Sequence, residues 1–470
     1  MILLKKVILL TLPISLLVAC GNDDLDPDAI NAPDVYEFAS LTNPSATSSV
    51  EYSEATTRLT LINELEHLIE SSELSELGKT PQGEADVLER LNRVYEQGTK
   101  SEFPTNLANT SIYTDENIAT LIQGIELPNG LSLLQNNYLE LMPEINLKDT
   151  LPGVFQQLET RNPVDSEKGL FIGWTITNYS NGDEVAHQLI QQCFKGIAIL
   201  LSDSDDTTDY IQMFGGIDYK AFATSFLKAT TSYYQLATTQ LNLQSLLTAS
   251  SEGDDTENHT EIQHQWDLAY GYFGGRTNYL KHKSLVPYYD DNQDEKIDLS
   301  SEYSFYLANE ARHRDDTPVP ETNFAYDISR NFLDGRTIID NSFQENNNAW
   351  KNTLPTYSNR ILTNIERLTI GNLIHHLNQI KYNAKFYLLG DDFKRDYFTA
   401  WSSSKGIALA LQFNPNNTLT QEQLAEINDL ISNRPQTSSS SIGNYLRDID
   451  DAIVILREAY NIGITTTDAW

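Results

Sequence analysis

The segment Asp290-Asp291-Asn292-Gln293-Asp294-Glu295-Lys296-Ile297-Asp298-Leu299-Ser300-Ser301-Glu302 carries six acids in thirteen residues. Counted from Asp290, oxygen-bearing side chains fall at the first, third, fifth and ninth places, and the apolar Ile297 falls at the eighth. A hard cation such as calcium takes roughly six to eight oxygens from a tight turn, and the seventh residue, here Lys296, supplies its backbone carbonyl. Crowded carboxylates repel one another unless a cation sits among them. Calcium held by Asp290, Asn292, Asp294, Lys296, Asp298 and Glu302 is therefore expected, the alternative being a solvated acidic turn. Two features count against the loop. Glu295 stands at the sharp bend where glycine is usual, and a left-handed backbone there costs about 1–2 kcal/mol. The closing carboxylate of Glu302 also comes one residue late. Pro287 argues against a helix leading in, while Ser300 or Ser301 is suited to cap one leading out.

The eight histidines offer a second chemistry. Glu184-x-x-His187 and Glu310-x-x-His313 each place a carboxylate and an imidazole on one helical face, the pair that iron and zinc centres use in helical bundles. With 66 acids in 470 residues such pairs also arise by chance, so ordinary histidines at helix interfaces are the simpler expectation. His264 with Asp267, and the adjacent His375 and His376, are further donors. Trp266, Tyr270, Tyr272 and Phe273 cluster beside Gly271, Gly274 and Gly275, which suits core packing at the end of a glycine-terminated helix or stacking on a ligand. No nucleophile elbow, zincin helix, P-loop or dinucleotide fingerprint occurs.

At the N-terminus, Lys5 and Lys6 precede an apolar run from Val7 to Val18 that is too short to span a bilayer comfortably, which reads as a removable signal. The following Leu17-Val18-Ala19-Cys20-Gly21 resembles the lipobox of bacterial lipoproteins. That resemblance implies acyl chains on Cys20 and a membrane anchor. Glycine rather than aspartate after the cysteine implies the outer membrane. Several acyl chains make the attachment stable, since each buried methylene contributes about 0.8 kcal/mol.

The elements that position these residues follow from composition and period. The chain has 32 Lys+Arg against 66 Asp+Glu, a net charge of −34, and loss of residues 1–19 removes two of the lysines. Such a field repels polyanions, so nucleic acid is not a partner. Cys193 is left without a disulfide partner and sits in a helical pattern as a buried structural thiol. Residues 20–50, rich in Asp, Asn, Pro, Ser and Ala, read as a disordered tether. The remaining 51–470 exceed what one hydrophobic core usually serves, so two packed lobes are expected, dividing near 250–258. Leu59, Ile62, Leu65, Leu68 and Ile69 recur at helical spacing, as do Leu189, Ile190, Cys193, Ile197 and Leu200. Further helices are predicted near 220–249, 259–273, 302–313, 323–340, 357–389, 392–412, 420–432 and 442–461. Thr420 with Gln423 forms a capping box that starts one of them. Strand alternation is scarce. The fold class is all-α, a multi-helix bundle with a calcium-loop-like insertion.

The acidic loop resembles the calcium loops of EF-hands and dockerins. Several longer segments resemble a family of Gram-negative lipoproteins whose domain has no assigned function. They are Ser49-Val50-Glu51-Tyr52 through Arg58, Trp266-Asp267-Leu268-Ala269-Tyr270-Gly271-Tyr272-Phe273-Gly274, Ser301-Glu302-Tyr303 through Asp315, and Trp401-Ser402-Ser403-Ser404-Lys405-Gly406 through Pro415. The family is similar in general character to imelysin-like lipoproteins, which implies a helical fold and an iron-regulated surface system. Those carry a Gly-x-His-x-x-Glu motif that this chain lacks. Three functions stay open. The first is an outer-membrane lipoprotein that binds a ligand or an uptake-system partner in iron or other metal uptake. The second is a metallopeptidase or other hydrolase using the Glu/His pairs, and the third a calcium-stabilised surface adhesion or scaffold module. Neither the ligand nor the oligomeric state follows from the sequence.

Overall fold

The computed structural model describes residues 30–100, 122–135, 141–142, 144–153, 171–174, 184–203, 216–253, 257–317, 322–387, 391–414 and 416–470. Cys20, the signal and part of the 250–258 run lie outside them. The described residues form fourteen α-helices and one two-residue pair of strands, an all-α architecture.

Helices α1 (Ser53–Glu70), α2 (Ser72–Gly78) and α3 (Gly83–Asn92) begin the bundle, and α4 (Val185–Asp203) packs on α2 and α3. The apolar stripe of α4 is the predicted one: Leu189, Ile190, Cys193 and Ile197 are all buried. Helix α5 (Tyr219–Lys228) runs into a π-helical stretch, Ala229–Gln240, and α6 (Leu243–Thr248) follows. Helix α7 (Glu261–Phe273) starts at a capping box, in which Thr260 Oγ1 accepts from Gln263 N and the Gln263 side chain accepts from Thr260 N. It ends at Gly274, whose φ of +80° is the left-handed conformation that glycine enters without strain.

Helices α8 (Tyr306–Asp315), α9 (Phe324–Gln344) and α10 (Trp350–Phe386) come next, α10 being the axis against which α8, α9, α11 (Asp391–Ala410) and α13 (Ser439–Ala459) pack. Helix α12 (Gln421–Ile431) begins at the predicted Thr420/Gln423 capping box, and α14 (Ile464–Ala469) closes the chain. Neither Ser300 nor Ser301 caps a helix. The one that follows them starts only at Tyr306, with Phe305 at its N-cap and no side-chain cap bond.

Two expectations of organisation change. Buried apolar side chains from before and after 250–258 belong to one contiguous cluster, running from Tyr36 to Trp470, rather than to two separate cores. The segment read as a tether is built into the body from about residue 36. Tyr36 and Phe38 are buried, and Tyr36 stacks on Tyr270 of α7 at 3.7 Å with the rings 2° from parallel. The reason is local alternation: aromatics two residues apart face the body together while Glu37 between them faces water. Composition hides this because few residues carry the apolar contact, Tyr36 and Phe38 with the partly buried Ala32 and Val50.

Candidate functional site

The aromatics of α7 are core residues. Trp266, Tyr270, Tyr272 and Phe273 are each at most 2% exposed, which settles their role as packing. Asp267, on the same helix and 0% exposed, is the unexpected member. Its Oδ1 accepts from Tyr36 Oη at 2.8 Å and from Arg336 Nε at 2.9 Å. Arg336, on α9 and also fully buried, pairs in addition with Asp340 and donates to Ser49 Oγ at 2.6 Å. Its guanidinium lies over the Phe38 ring at 4.8 Å. One cation thus serves two carboxylates and clasps the N-terminal segment to α7 and α9. Burial pushes the Asp267 carboxyl up to about 7 against the pull of Arg336. Burial raises Asp340 as well.

The acidic loop lies just beyond this clasp. Tyr52, at the start of α1, donates its hydroxyl to Ser300 O at 2.6 Å, and Thr277 N donates to Ser301 O at 2.8 Å. Strand β1 (Ser132–Leu133) pairs in parallel with β2 (Lys296–Ile297). Ser132 N donates to Glu295 O at 3.1 Å and Leu134 N to Ile297 O at 2.9 Å. Alternate carbonyls of a strand face opposite ways, so the Lys296 carbonyl is turned away from the partner strand. Ile297, at the apolar eighth place, is fully buried.

Within the loop the side-chain oxygens hold backbone amides. Asp290 accepts from Asp294 N at 3.2 Å and Glu295 N at 3.0 Å, Asn292 from Asp294 N at 2.9 Å, and Asp294 from Lys296 N at 2.9 Å. Asp298 accepts from Ser300 N at 2.8 Å. Glu302, 5% exposed, spans the loop: its Oε1 accepts from Asp291 N at 2.9 Å and its Oε2 from Asp298 N at 3.0 Å. Asp298 Oδ1 also accepts from Ser300 Oγ at 2.7 Å, which leaves its spare acceptor capacity on Oδ2, while the other carboxylate oxygens named here each keep a second lone pair beyond their bond. Glu295 does adopt the left-handed backbone expected at the bend, with φ +63°. The acids are held around the turn rather than drawn together, and among the described residues no three His, Cys, Asp or Glu side chains converge as a metal-holding group.

The two Glu/His pairs have separate surroundings. His187 stacks on Tyr95 at 5.7 Å, its Nδ1 lies 3.1 Å from the Tyr95 hydroxyl, and its Nε2 lies 3.8 Å from Glu96 Oε1. Burial lowers its pKa. Glu184 is exposed just ahead of α4. Glu310 instead faces Arg314 at 3.7 Å on α8, one turn from His313's end of that helix. His264, of the candidate pair with Asp267, makes its contact at Nδ1 with Glu51 O, 3.2 Å away, and stacks on His259 at 4.7 Å. Cys193 is buried, and burial pushes its thiol up, as a structural cysteine requires. Spacing does not reveal Lys405, fully buried on α11, whose Nζ reaches Asn428 O at 3.1 Å and Oδ1 at 3.2 Å. Burial brings its pKa down to about 7.

Between the N-terminal segment and the acidic loop opens a cleft of about 560 Å³, bounded by Glu37, Glu51, Tyr52, Asp291, Asn292 and Glu302 among others. Among the described residues that line it there is no lysine, arginine or histidine. A second hollow of about 340 Å³ adjoins it, sharing Glu51, Ser53 and Ser300 with the first. Outside the loop the cleft's acids carry no ligand spacing in the sequence: Glu37 lies in the segment read as a tether, and Glu51 stands only in a stretch of family resemblance. No family model matches this chain, and no curated protein or solved structure matches it either.

Proposed function

We propose that this chain is an outer-membrane lipoprotein, anchored through Cys20, that binds a cationic ligand in the cleft beside the Asp290–Glu302 loop. The observation that carries the reading is the charge of that cleft: among the described residues that line it, Glu37, Glu51, Asp291 and Glu302 are acids and none is basic, although from outside the lining His282 Nε2 approaches Asp291 Oδ1 to 3.6 Å. A cation entering there is attracted by all four carboxylates and meets hydroxyl and amide oxygens from Ser48, Ser53, Asn292, Ser300 and Ser301. Calcium is proposed at the loop itself, on spare lone pairs of Asp290, Asn292, Asp294 and Asp298, the Lys296 carbonyl, and Glu302. There it would brace one wall of the cleft. A setting in iron or other metal uptake comes from the resemblance to imelysin-like lipoproteins.

Calorimetric titration of the full chain with calcium, iron(II) and zinc tests the reading. Calcium at about 100 times its dissociation constant should add roughly 2.7 kcal/mol of stability if only the native state binds it. Glu37→Gln/Glu51→Gln should weaken a ligand in the cleft while sparing calcium at the loop. Absence of heat and of any melting shift with all three cations would remove the reading. Fatty-acid labelling should be lost in Cys20→Ala, and labelling that persists would remove the anchor. The enzymatic alternative needs a transition-metal centre, so less than stoichiometric iron or zinc and no peptidase activity are expected of the purified protein. One or two tightly bound ions per chain, lost on His187→Ala or His313→Ala, would favour the metalloenzyme instead.

A further inference from the structure

The stretch from Arg276 to Tyr289 contains no Asp or Glu, in a chain whose net charge is −34. Lys281 and Lys283 are exposed there, and between them and the acidic loop stand Leu285, 41% exposed, Val286, 43%, and Tyr289, 37%. Two neighbouring aliphatic side chains in water, flanked by cations and a phenol, need a reason.

The backbone supplies one, because it holds them out. Arg276, 1% exposed, donates from Nη1 to Val286 O at 3.2 Å and from Nη2 to His282 O at 2.8 Å, so a buried guanidinium grips the loop from within. Among the described residues no carboxylate lies within ion-pair distance of it, and burial lowers its pKa. Burying a charge on two carbonyls, with the Tyr289 ring 5.8 Å away, is costly, and what it achieves here is a fixed loop. Val286 N donates to Ser284 Oγ at 3.0 Å, His282 stacks on Tyr289 at 3.5 Å, and Ser304 N donates to Pro287 O at 2.6 Å. Leu285 and Val286 therefore cannot fold back onto the body to hide.

We propose that the loop 281–289 is a membrane-docking tip that seats Leu285 and Val286 in the interfacial region of a phospholipid bilayer while Lys281 and Lys283 meet anionic headgroups. Aliphatic side chains at the crest, lysines beside them and tyrosine at the rim match the chemical layering of that interface. An anionic bilayer repels most of so acidic a surface, so this tip also orients the approach. A second copy of the chain fits less well, since a two-fold contact through this loop would set its lysines against themselves. The tip lies where the N-terminal segment joins the body: Tyr36 N donates to Thr277 O at 2.8 Å, one residue from Arg276. A tether from Cys20 would thus enter the fold beside the tip. That last point rests on the lipoprotein reading, whereas the loop's own chemistry does not.

The test therefore removes the acyl chains. The full chain carrying Cys20→Ala is titrated with vesicles of phosphatidylethanolamine, with and without phosphatidylglycerol, and the partition coefficient is read by sedimentation. Residues 1–19 contribute equally to parent and variants, so ratios report the loop. Phosphatidylglycerol should strengthen binding of the parent, and added salt should weaken it. Lys281→Ala/Lys283→Ala should lose about fivefold per lysine on the anionic vesicles. Leu285→Ser/Val286→Ser should lose about tenfold or more on both vesicle types. Near-ultraviolet dichroism unchanged in both variants would show that the body is intact. Equal partitioning of parent and both variants would overturn the proposal. So would a concentration-dependent dimer, seen by ultracentrifugation, that Leu285→Ser/Val286→Ser abolishes.

Discussion

At Asp267 and Asp340 two carboxylates share a fully buried Arg336, whereas at Asp290, Asp294, Asp298 and Glu302 the carboxylates answer to backbone amides and, at Asp298, to the Ser300 hydroxyl as well. Both regions grip the same part of the chain. The first holds Tyr36 and Ser49, and the second holds Tyr52 through Ser300. In the first, removal from water makes a fixed cation necessary, and the geometry is closed. In the second, solvent, amide dipoles and the Ser300 hydroxyl hold the turn, and acceptor capacity is left over for a mobile cation. Identical side-chain chemistry is therefore structural in one place and open to a ligand in the other, and burial decides which.

The largest effect that separates them is the loss of the buried cation. Arg336→Met should destabilise the protein by about 3–5 kcal/mol, because Asp267 and Asp340 stay buried without their partner. Urea unfolding measures it. Replacing Asp291, an exposed acid of the cleft, by Asn should change stability by under about 0.5 kcal/mol. Similar losses for the two would erase the distinction.

The next effect is on pH dependence. Burial puts the folded Asp267 carboxyl at about 7, above the roughly 3.9 of an unfolded aspartate. Between those values the folded state binds more protons than the unfolded one. The contribution of this group is complete below the unfolded value and is lost as pH rises through the folded value. Asp267→Asn should therefore flatten the stability profile between roughly pH 4 and 7, by at most about 1.4 kcal/mol per pH unit. Parallel profiles for parent and variant would show that Arg336 keeps Asp267 ionised throughout.

How much of this was legible in the sequence differs between the regions for the same physical reason. Helix periods, the Thr420 cap and the Gly274 stop are local, depending on residues three or four apart, and they appear where expected. The loop's ligand spacing is local too. The Asp267–Arg336 clasp joins residues 69 apart, and Tyr36 reaches Asp267 across 231, separations at which a single sequence carries no signal. Glu184-x-x-His187 and Glu310-x-x-His313 show the converse. Glu310 and His313 do lie on one helix, whereas Glu184 stands just ahead of the helix that carries His187; whether such pairs meet is a matter of packing, and no converging group forms among the described residues.

The third effect concerns calcium, and it sharpens the contrast directly. Asp290→Ala/Asp294→Ala should abolish the roughly 2.7 kcal/mol that saturating calcium adds, while Asp267→Asn leaves it in place. Scanning calorimetry with and without calcium reads both. Calcium stabilisation that survives in the loop variant would move the site elsewhere.

The smallest effect lies in the backbone of the turn itself. Glu295 holds φ +63°, where a residue with a Cβ costs about 1–2 kcal/mol and glycine costs little. Glu295→Gly keeps the amide that donates to Asp290 Oδ2 at 3.0 Å and removes the strain. Part of that gain is offset by the extra freedom of glycine in the unfolded chain, roughly 0.5–1 kcal/mol. The net expectation is a stabilisation of about 0.5–1 kcal/mol, with calcium binding undiminished. Gly274, at φ +80°, should respond with the opposite sign, since a Cβ there would sit 2.8 Å from the Phe305 Cβ and Gly274→Ala adds both strain and a clash. Destabilisation by Glu295→Gly, measured beside Gly274→Ala by thermal unfolding, would mean that the Glu295 side chain itself holds the loop and that its left-handed bend is not the weak point.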